Sequence, residues 1–361
     1  MPATLAWVAL VVYASAFPFS GWRWPAGASF ASLLVLPWPK WHDSFDQVAN
    51  LLGYMPLGSL VAMVIRDARG STVRALATAT CVAAGLSFGL EVMQVFLPQR
   101  VPSSLDWLLN TLGGLIGAVI GVALQHTGVV RNLQQTRERW FGRSGLGGLA
   151  LLMLWPLGLL FPTPVPLGLG QVWERMRDMV SDALIGASWA EDAVRWLDPG
   201  AGDVTRLSPL AEALAVGLGL LGPCLTAYCI ANPGARRLVL SLGAAALAFG
   251  VTTLSTALNF GPQHALAWCT PTSLGGMGLG LMLALLLSGC GRRLAAGLAL
   301  VVVTATTALV AQAPADPYFA ESLHSWEQGR FIRFHGLAQW VGWSWPYIAI
   351  IWLLTRTGVR E

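Results

Sequence analysis

Long apolar stretches, separated by short polar or basic segments, recur along the whole chain. A membrane-spanning helix needs about 20 mainly apolar residues. Ten segments approach that length: 4–20, 48–66, 74–97, 105–124, 146–161, 208–231, 237–258, 272–289, 294–313 and 337–355. The first and fifth are the shortest. Lipid offers no hydrogen-bond partners to a backbone, so a spanning segment is either helical or part of a closed barrel. Runs of this length, rich in Leu, Ala and Gly, read as helices. The pattern predicts an all-α fold, a polytopic transmembrane helix bundle of about ten spanning helices. The first segment has no basic n-region, and Phe17-Pro18-Phe19-Ser20 is a poor cleavage site, so it reads as a retained helix rather than a signal peptide.

Basic residues near helix ends set the expected orientation. Arg66, Arg69 and Arg74 lie between the second and third segments, and Arg131, Arg137, Arg139 and Arg143 between the fourth and fifth. Arg236 and Arg237, Arg292 and Arg293, and Arg356 and Arg360 occupy the following loops on the same side. That side holds thirteen of the 22 basic residues, with Asp67, Glu138 and Glu361 as its acids. Both termini are therefore expected in the cytoplasm, with the chain multi-pass in the membrane.

Composition agrees with this reading. Apolar residues make up 55% of the chain, charged residues 11%, and the mean hydropathy is +0.60. The net charge of +4 reflects topology and gives no case for nucleic acid. The five cysteines, Cys81, Cys224, Cys229, Cys269 and Cys290, include no CxxC pair, and neither a disulfide framework nor a zinc site is expected. The histidines expected on the outer side (His42, His264, His324 and His335) are scattered and read as interfacial.

Three regions are expected: a four-helix membrane domain over 1–125, a basic cytoplasmic connector over 126–145, and a second membrane block of about six helices over 146–361. The connector reads as a solvated or interfacial helix. In the second block, Pro162, Pro164 and Pro166 open a long outer segment, 162–207. Two amphipathic stretches within it, 171–180 and 187–197, carry Trp173, Trp189 and Trp196, which suit the outer interface. The segment is also a candidate docking surface for a membrane protein partner. A similar segment, 317–334, precedes the last helix. A faint repeat at an offset of 162 sets Gly113-Gly114 over Gly275-Gly276 and places Thr253, Thr256, Pro262 and Trp268 opposite Glu91, Gln94, Arg100 and Asp106.

Polar residues concentrate where three apolar segments end in the first block. The second begins with Asp46 and Asn50, the third ends with Glu91 and Gln94, and the fourth begins Ser103-Ser104-Leu105-Asp106 and reaches Asn110. Asp46/Asn50 and Asp106/Asn110 are spaced i, i+4, and Glu91/Gln94 i, i+3, so each pair shares a helix face. Packing these faces inward gathers three carboxylates and three amides beside Arg100. Ionisable groups at such depth are costly and point to function. Each also has an ordinary structural role: Ser103 and Asp106 fit an N-terminal cap, the amides fit interhelical hydrogen bonds, and Arg100 fits an interfacial anchor.

As a set these residues can do several things. Arg100 with amides matches the geometry of a phosphate or carboxylate. Carboxylates with amides suit Mg²⁺ or Ca²⁺, although no cofactor is required. A carboxylate pair can run acid–base hydrolysis or transfer on an envelope lipid, but Ser103 and Ser104 have no neighbouring histidine base in sequence. A transporter reading needs polar groups through the bilayer, and 60–65, 75–84 and 116–124 offer almost none.

The arrangement Asp46-x3-Asn50…Pro56-Leu57-Gly58, then Glu91-x2-Gln94…Arg100…Ser104-x-Asp106-x3-Asn110-x2-Gly113, resembles the VanZ-like family of bacterial membrane proteins over about residues 7–125. The founding member of that family is associated with resistance to the glycopeptide teicoplanin. The resemblance implies a four-helix core and a shared polar set of Asp46, Asn50, Glu91, Gln94, Arg100, Asp106 and Asn110, which with Ser104 form the candidate ligand-binding residues. No catalytic role follows from it. The leading expectation is an outward-facing polar pocket that binds or handles an anionic envelope component, a lipid-linked precursor or a surface peptide, in contact with membrane lipids.

Overall fold

The computed structural model describes residues 2–17, 19, 21–25, 27, 29–39, 44–68, 70–98, 100–141, 145–172, 176–177, 180–181, 184, 189, 207–313 and 332–357. Among them, all regular structure is helical. The helices are α1 (Pro2–Ala16), a single turn α2 (Phe30–Leu33), α3 (Ser44–Asp67), α4 (Thr72–Gln94), α5 (Ser104–His126), α6 (Val129–Phe141), α7 (Leu146–Leu159), α8 (Pro209–Ile230), α9 (Ala235–Phe260), α10 (Pro271–Leu286), α11 (Arg292–Val310) and α12 (Ile332–Thr357). Each of the ten predicted segments falls on a helix. Seven helices (α3, α4, α5, α8, α9, α10 and α11) are long and apolar enough to cross a membrane, while α1 and α7 are shorter apolar helices. The long helix α12 is diluted by Trp340, Trp343, Trp345, Pro346 and Tyr347.

Local chemistry explains where the helices start. Ser71, Ser103, Ser208 and Thr270 each sit at an N-cap in extended backbone and accept from the amide three residues on. Pro209 and Pro271 follow their caps at the first helical position, where a missing N–H costs nothing.

The chain divides into two compact units, Met1–Thr136 and Arg137–Glu361. In the first, α3, α4 and α5 pack around Tyr54, Leu57, Ala62, Ala79, Ala83 and Ala118, and α1 joins through the Trp7 indole, which donates to the Gly53 carbonyl (2.9 Å). Contact between α3 and α5 is backbone to backbone. A Cβ added at Gly113 would stand 2.2 Å from the Leu51 carbonyl oxygen, and one at Gly117 1.9 Å from that of Met55. Small residues spaced by four permit this approach, the usual way for helices to associate in lipid. The helix α6 carries no buried residue.

The second unit has a core of Trp155, Leu220, Leu225, Tyr228, Val303 and Trp345 among others. It repeats the helix contact of the first unit. A Cβ at Gly276 would stand 2.4 Å from the Ala213 carbonyl oxygen, and one at Gly280 2.3 Å from that of Gly217. Ala213 and Gly217 are Leu51 and Met55 offset by 162, and Gly276 and Gly280 are Gly113 and Gly117 offset by 163. The sequence alignment of Gly113 with Gly275 is therefore one residue short on the third helix of the set.

Two further features go beyond the sequence reading. The segment after Pro162 does not run along a surface at its start: Val165, Leu167 and Leu169 are buried in the core, and Gln171 is buried with its amide donating to the Gly168 carbonyl. Most of the amphipathic stretches beyond it, with Trp173 and Trp196, lie outside the described residues, as do Pro317–Arg330, Arg69, Arg143 and His42. Arg237, counted among the basic residues between helices, is fully buried. Its guanidinium donates to the carbonyls of Tyr228 and Ala231 at the end of α8 and of Ser288 and Cys290 beyond α10. The last turn of α8 leaves its final carbonyls without intrahelical partners, and a buried cation suits that negative end of the dipole.

Candidate functional site

The predicted polar set lies at one end of the α3–α4–α5 packing. Glu91, in the last turn of α4, is buried, and its Oε2 accepts from the backbone amide of Ser103 at 2.8 Å. That bond fastens the end of α4 to the start of α5. Ser103 itself is buried and caps α5 through its hydroxyl, which accepts from the Asp106 amide at 3.2 Å. The Asp106 side chain is half-buried, and its charge and that of Arg100 both act on Glu91.

Arg100 follows the loop that leaves α4. Its guanidinium donates to the carbonyls of Ala14 (3.1 Å) and Phe17 at the C-terminal end of α1. Gln94 reaches the same end, its amide donating to the Ser15 carbonyl at 3.2 Å. Ser104 donates through both its amide and its hydroxyl to the Pro37 carbonyl (3.0 and 3.1 Å), which holds the 35–39 stretch over the site. Asn110, one helical turn below Asp106, is buried and donates to the Ser87 hydroxyl at 2.9 Å. Its carbonyl oxygen is buried with no hydrogen-bond partner among the described residues.

The structure thus brings together Glu91, Gln94, Arg100, Ser104, Asp106 and Asn110. Asp46 and Asn50 sit on the first two turns of α3, where Asp46 is exposed and Asn50 half-buried. Among the described residues, no three His, Cys, Asp or Glu side chains are arranged to hold a metal ion.

Sequence reading missed two members. Tyr54 on α3 is 5% exposed, and its hydroxyl bonds to Ser87 and lies within electrostatic reach of Glu91. Ser87 is 1% exposed and links Tyr54 to Asn110 across three helices. A single Ser and Tyr in apolar helices give no periodic signal. The available clue was spacing, since Ser87 lies one turn before Glu91 on the same face.

Chemically, this end of the bundle offers one fixed guanidinium, a buried carboxylate already used as an acceptor, a second carboxylate near the surface, and amides tied to backbone. It can orient an anion at Arg100.

No curated protein and no solved structure gives a match to this chain. A protein-family model described as VanZ/LLP1 matches residues 3–125.

Proposed function

We propose, from the premise that residues 3–125 are a VanZ/LLP1-family domain of a multi-pass membrane protein, that this domain binds an anionic component of the bacterial cell envelope at Arg100. The ligand is a lipid-linked precursor or a surface peptide, and glycopeptide resistance of the teicoplanin type is the cellular consequence that the family association suggests. The chain lies in the cytoplasmic membrane with both termini in the cytoplasm, so that the end of α4 and the start of α5 face outward.

The observation that supports this reading is how Arg100 is held. The carbonyls of Ala14 and Phe17 orient its guanidinium, and a planar guanidinium matches phosphate or carboxylate. Gln94 and Ser104 flank it as further polar groups.

Native mass spectrometry of the purified protein tests it. Wild type is expected to retain a phosphate- or carboxylate-bearing envelope lipid. Arg100→Ala is expected to lose it, Arg100→Lys to retain part of it, and Arg236→Ala to keep all of it. Equal retention by Arg100→Ala and wild type would overturn the proposal.

A further inference from the structure

The second unit holds a cavity of about 430 Å³, within the range of small-molecule sites. It lies between the end of α7, the start of α8, the last turns of α9 and the start of α10. This is the place within its own three-helix set that the polar cluster occupies in α3–α5. At the offsets fixed by the glycine contacts, Glu212 stands where Asn50 does and Ser273 where Asn110 does, and the sequence offset of 162 sets Thr256 opposite Gln94; all three line the cavity.

Several of the lining hydroxyls present acceptors. Ser255 donates its hydroxyl hydrogen to the Leu160 carbonyl (2.8 Å), Thr256 to that of Thr252 (2.8 Å) and Thr163 to that of Val165 (2.6 Å). A hydroxyl has one hydrogen and two lone pairs, so these three present only acceptors to the space. Glu212 adds a carboxylate and His264 an imidazole, and among the described residues no Lys or Arg lines the cavity. Phe161, Phe260 and Trp268 supply aromatic wall. Thr252 is 9% exposed, and its Oγ1 is buried on the cavity wall with no hydrogen-bond partner among the described residues. A buried hydroxyl left unmatched is uncommon and calls for a ligand or a water.

We infer that this cavity is a binding site for a primary ammonium group. Acceptor oxygens with a single carboxylate select a cation that carries N–H donors, and aromatic faces add a favourable quadrupole. An anion would leave the Glu212 carboxylate and the hydroxyl acceptors unmatched with only His264 to answer it, and a quaternary ammonium would leave the acceptors unmatched. The ammonium belongs either to a free amine or to an aminated lipid headgroup. The inference stands on the second unit alone and does not rest on the Arg100 reading.

The test uses the full-length protein in phosphatidylcholine nanodiscs. Glucosamine and ethanolamine serve as free primary amines, and glucose and ethylene glycol as their uncharged counterparts. The amines are expected to bind saturably and their counterparts about tenfold more weakly or not at all, the scale of one charged hydrogen bond. Glu212→Gln keeps shape and removes charge, and is expected to weaken amine binding about tenfold or more. Thr252→Val is expected to weaken binding while leaving thermal stability equal or higher, since it removes a polar group that has no partner. A merely structural hydroxyl would lower stability instead. Loss of free-amine binding in nanodiscs containing phosphatidylethanolamine assigns the site to a lipid headgroup, and its persistence assigns it to a soluble amine. Equal binding of glucose and glucosamine, unchanged affinity in Glu212→Gln, or no saturable amine binding in either lipid would overturn the inference. Arg100→Ala leaves amine affinity unchanged, so the two proposals fail separately.

Discussion

The helix sets α3–α4–α5 and α8–α9–α10 share one contact, a pair of glycines spaced by four seated on the backbone of the first helix, yet they end in opposite arrangements. In the first set, Ala75, Ala79, Ala83 and Ser87 lie every fourth residue along α4 and all are buried. That small-residue face lets α4 close onto α3 and α5, and the polar groups at its end are tied to one another and to backbone. At the same offset of 162, α9 carries Arg237, Ser241, Ala245 and Phe249. The larger side chains hold α9 differently, Phe249 stacks against Trp268 instead of burying itself as Ser87 does, and a cavity remains at the helix ends. Charged motif and open space have separated: the denser polar pattern sits where the helices close, and the cavity sits where most of the charges are gone. Even the corresponding bond survives in altered form. Glu91 accepts from the Ser103 amide, and Thr253, its counterpart, accepts from the Trp268 indole at 3.1 Å.

The largest expected effect contrasts the two arginines that gather helix-end carbonyls. Arg237 is fully buried and serves the carbonyls of Tyr228, Ala231, Ser288 and Cys290, while half-buried Arg100 is held by those of Ala14 and Phe17. Removing Arg237 strands several buried acceptors at once, so Arg237→Ala is expected to cost about 3 kcal/mol or more, and Arg100→Ala about 1–2 kcal/mol. Chemical unfolding in detergent measures both. A larger loss for Arg100→Ala than for Arg237→Ala would mean that the first unit, not the second, depends on its arginine for folding.

A smaller effect separates bond from charge at Glu91. Glu91→Gln keeps an oxygen for the Ser103 amide and is expected to stay within about 1 kcal/mol of wild type. Glu91→Leu leaves that amide unpaired in a buried place and is expected to cost about 1–3 kcal/mol. Thr253→Val frees the Trp268 indole and is expected to cost about 1 kcal/mol. Were Glu91→Gln as damaging as Glu91→Leu, the carboxylate charge itself would be required, and the comparison with Thr253 would cease to be one of hydrogen bonds.

Much of this was legible in the chain, for reasons that differ by residue. The helices follow from apolar length, because lipid leaves a backbone no alternative. Glu91, Gln94, Arg100, Asp106 and Asn110 stood out because charged and amide groups are rare in so apolar a sequence, and the structure gathers them at one end of α3–α5. Their partners were not legible. Nothing in sequence says that Arg100 turns to the end of α1, or that Glu91 answers a backbone amide. The burial of Arg237 was not legible because charge counting near helix ends cannot distinguish a solvated arginine from one buried under two helix termini. The cavity was hidden for a related reason: its lining is mostly Ser, Thr and aromatic residues, which are ordinary in membrane helices, and its shape depends on side-chain volume along α9.

The smallest effect tests the register of the comparison itself. An offset of 162 along the whole chain pairs Gly113 with Gly275, whereas the packing pairs Gly113 with Gly276. A Cβ at Gly275 meets nothing within 4 Å, and one at Gly276 meets the Ala213 carbonyl oxygen at 2.4 Å. Gly275→Ala therefore adds a methyl group to open space and stiffens the helix, with an expected gain of up to about 1 kcal/mol. Gly276→Ala forces α8 and α10 apart, with an expected loss of about 1–3 kcal/mol. The same pair in the first unit behaves differently, because both positions are filled: a Cβ at Gly113 meets Leu51 and one at Gly114 meets the Ala83 methyl at 2.3 Å, so alanine at either is expected to destabilise. Thermal unfolding of the four alanine variants reads the difference directly. A costly Gly275→Ala with a harmless Gly276→Ala would restore the uniform offset and move Asn110 out of register with Ser273, leaving the cavity without its counterpart in the first unit.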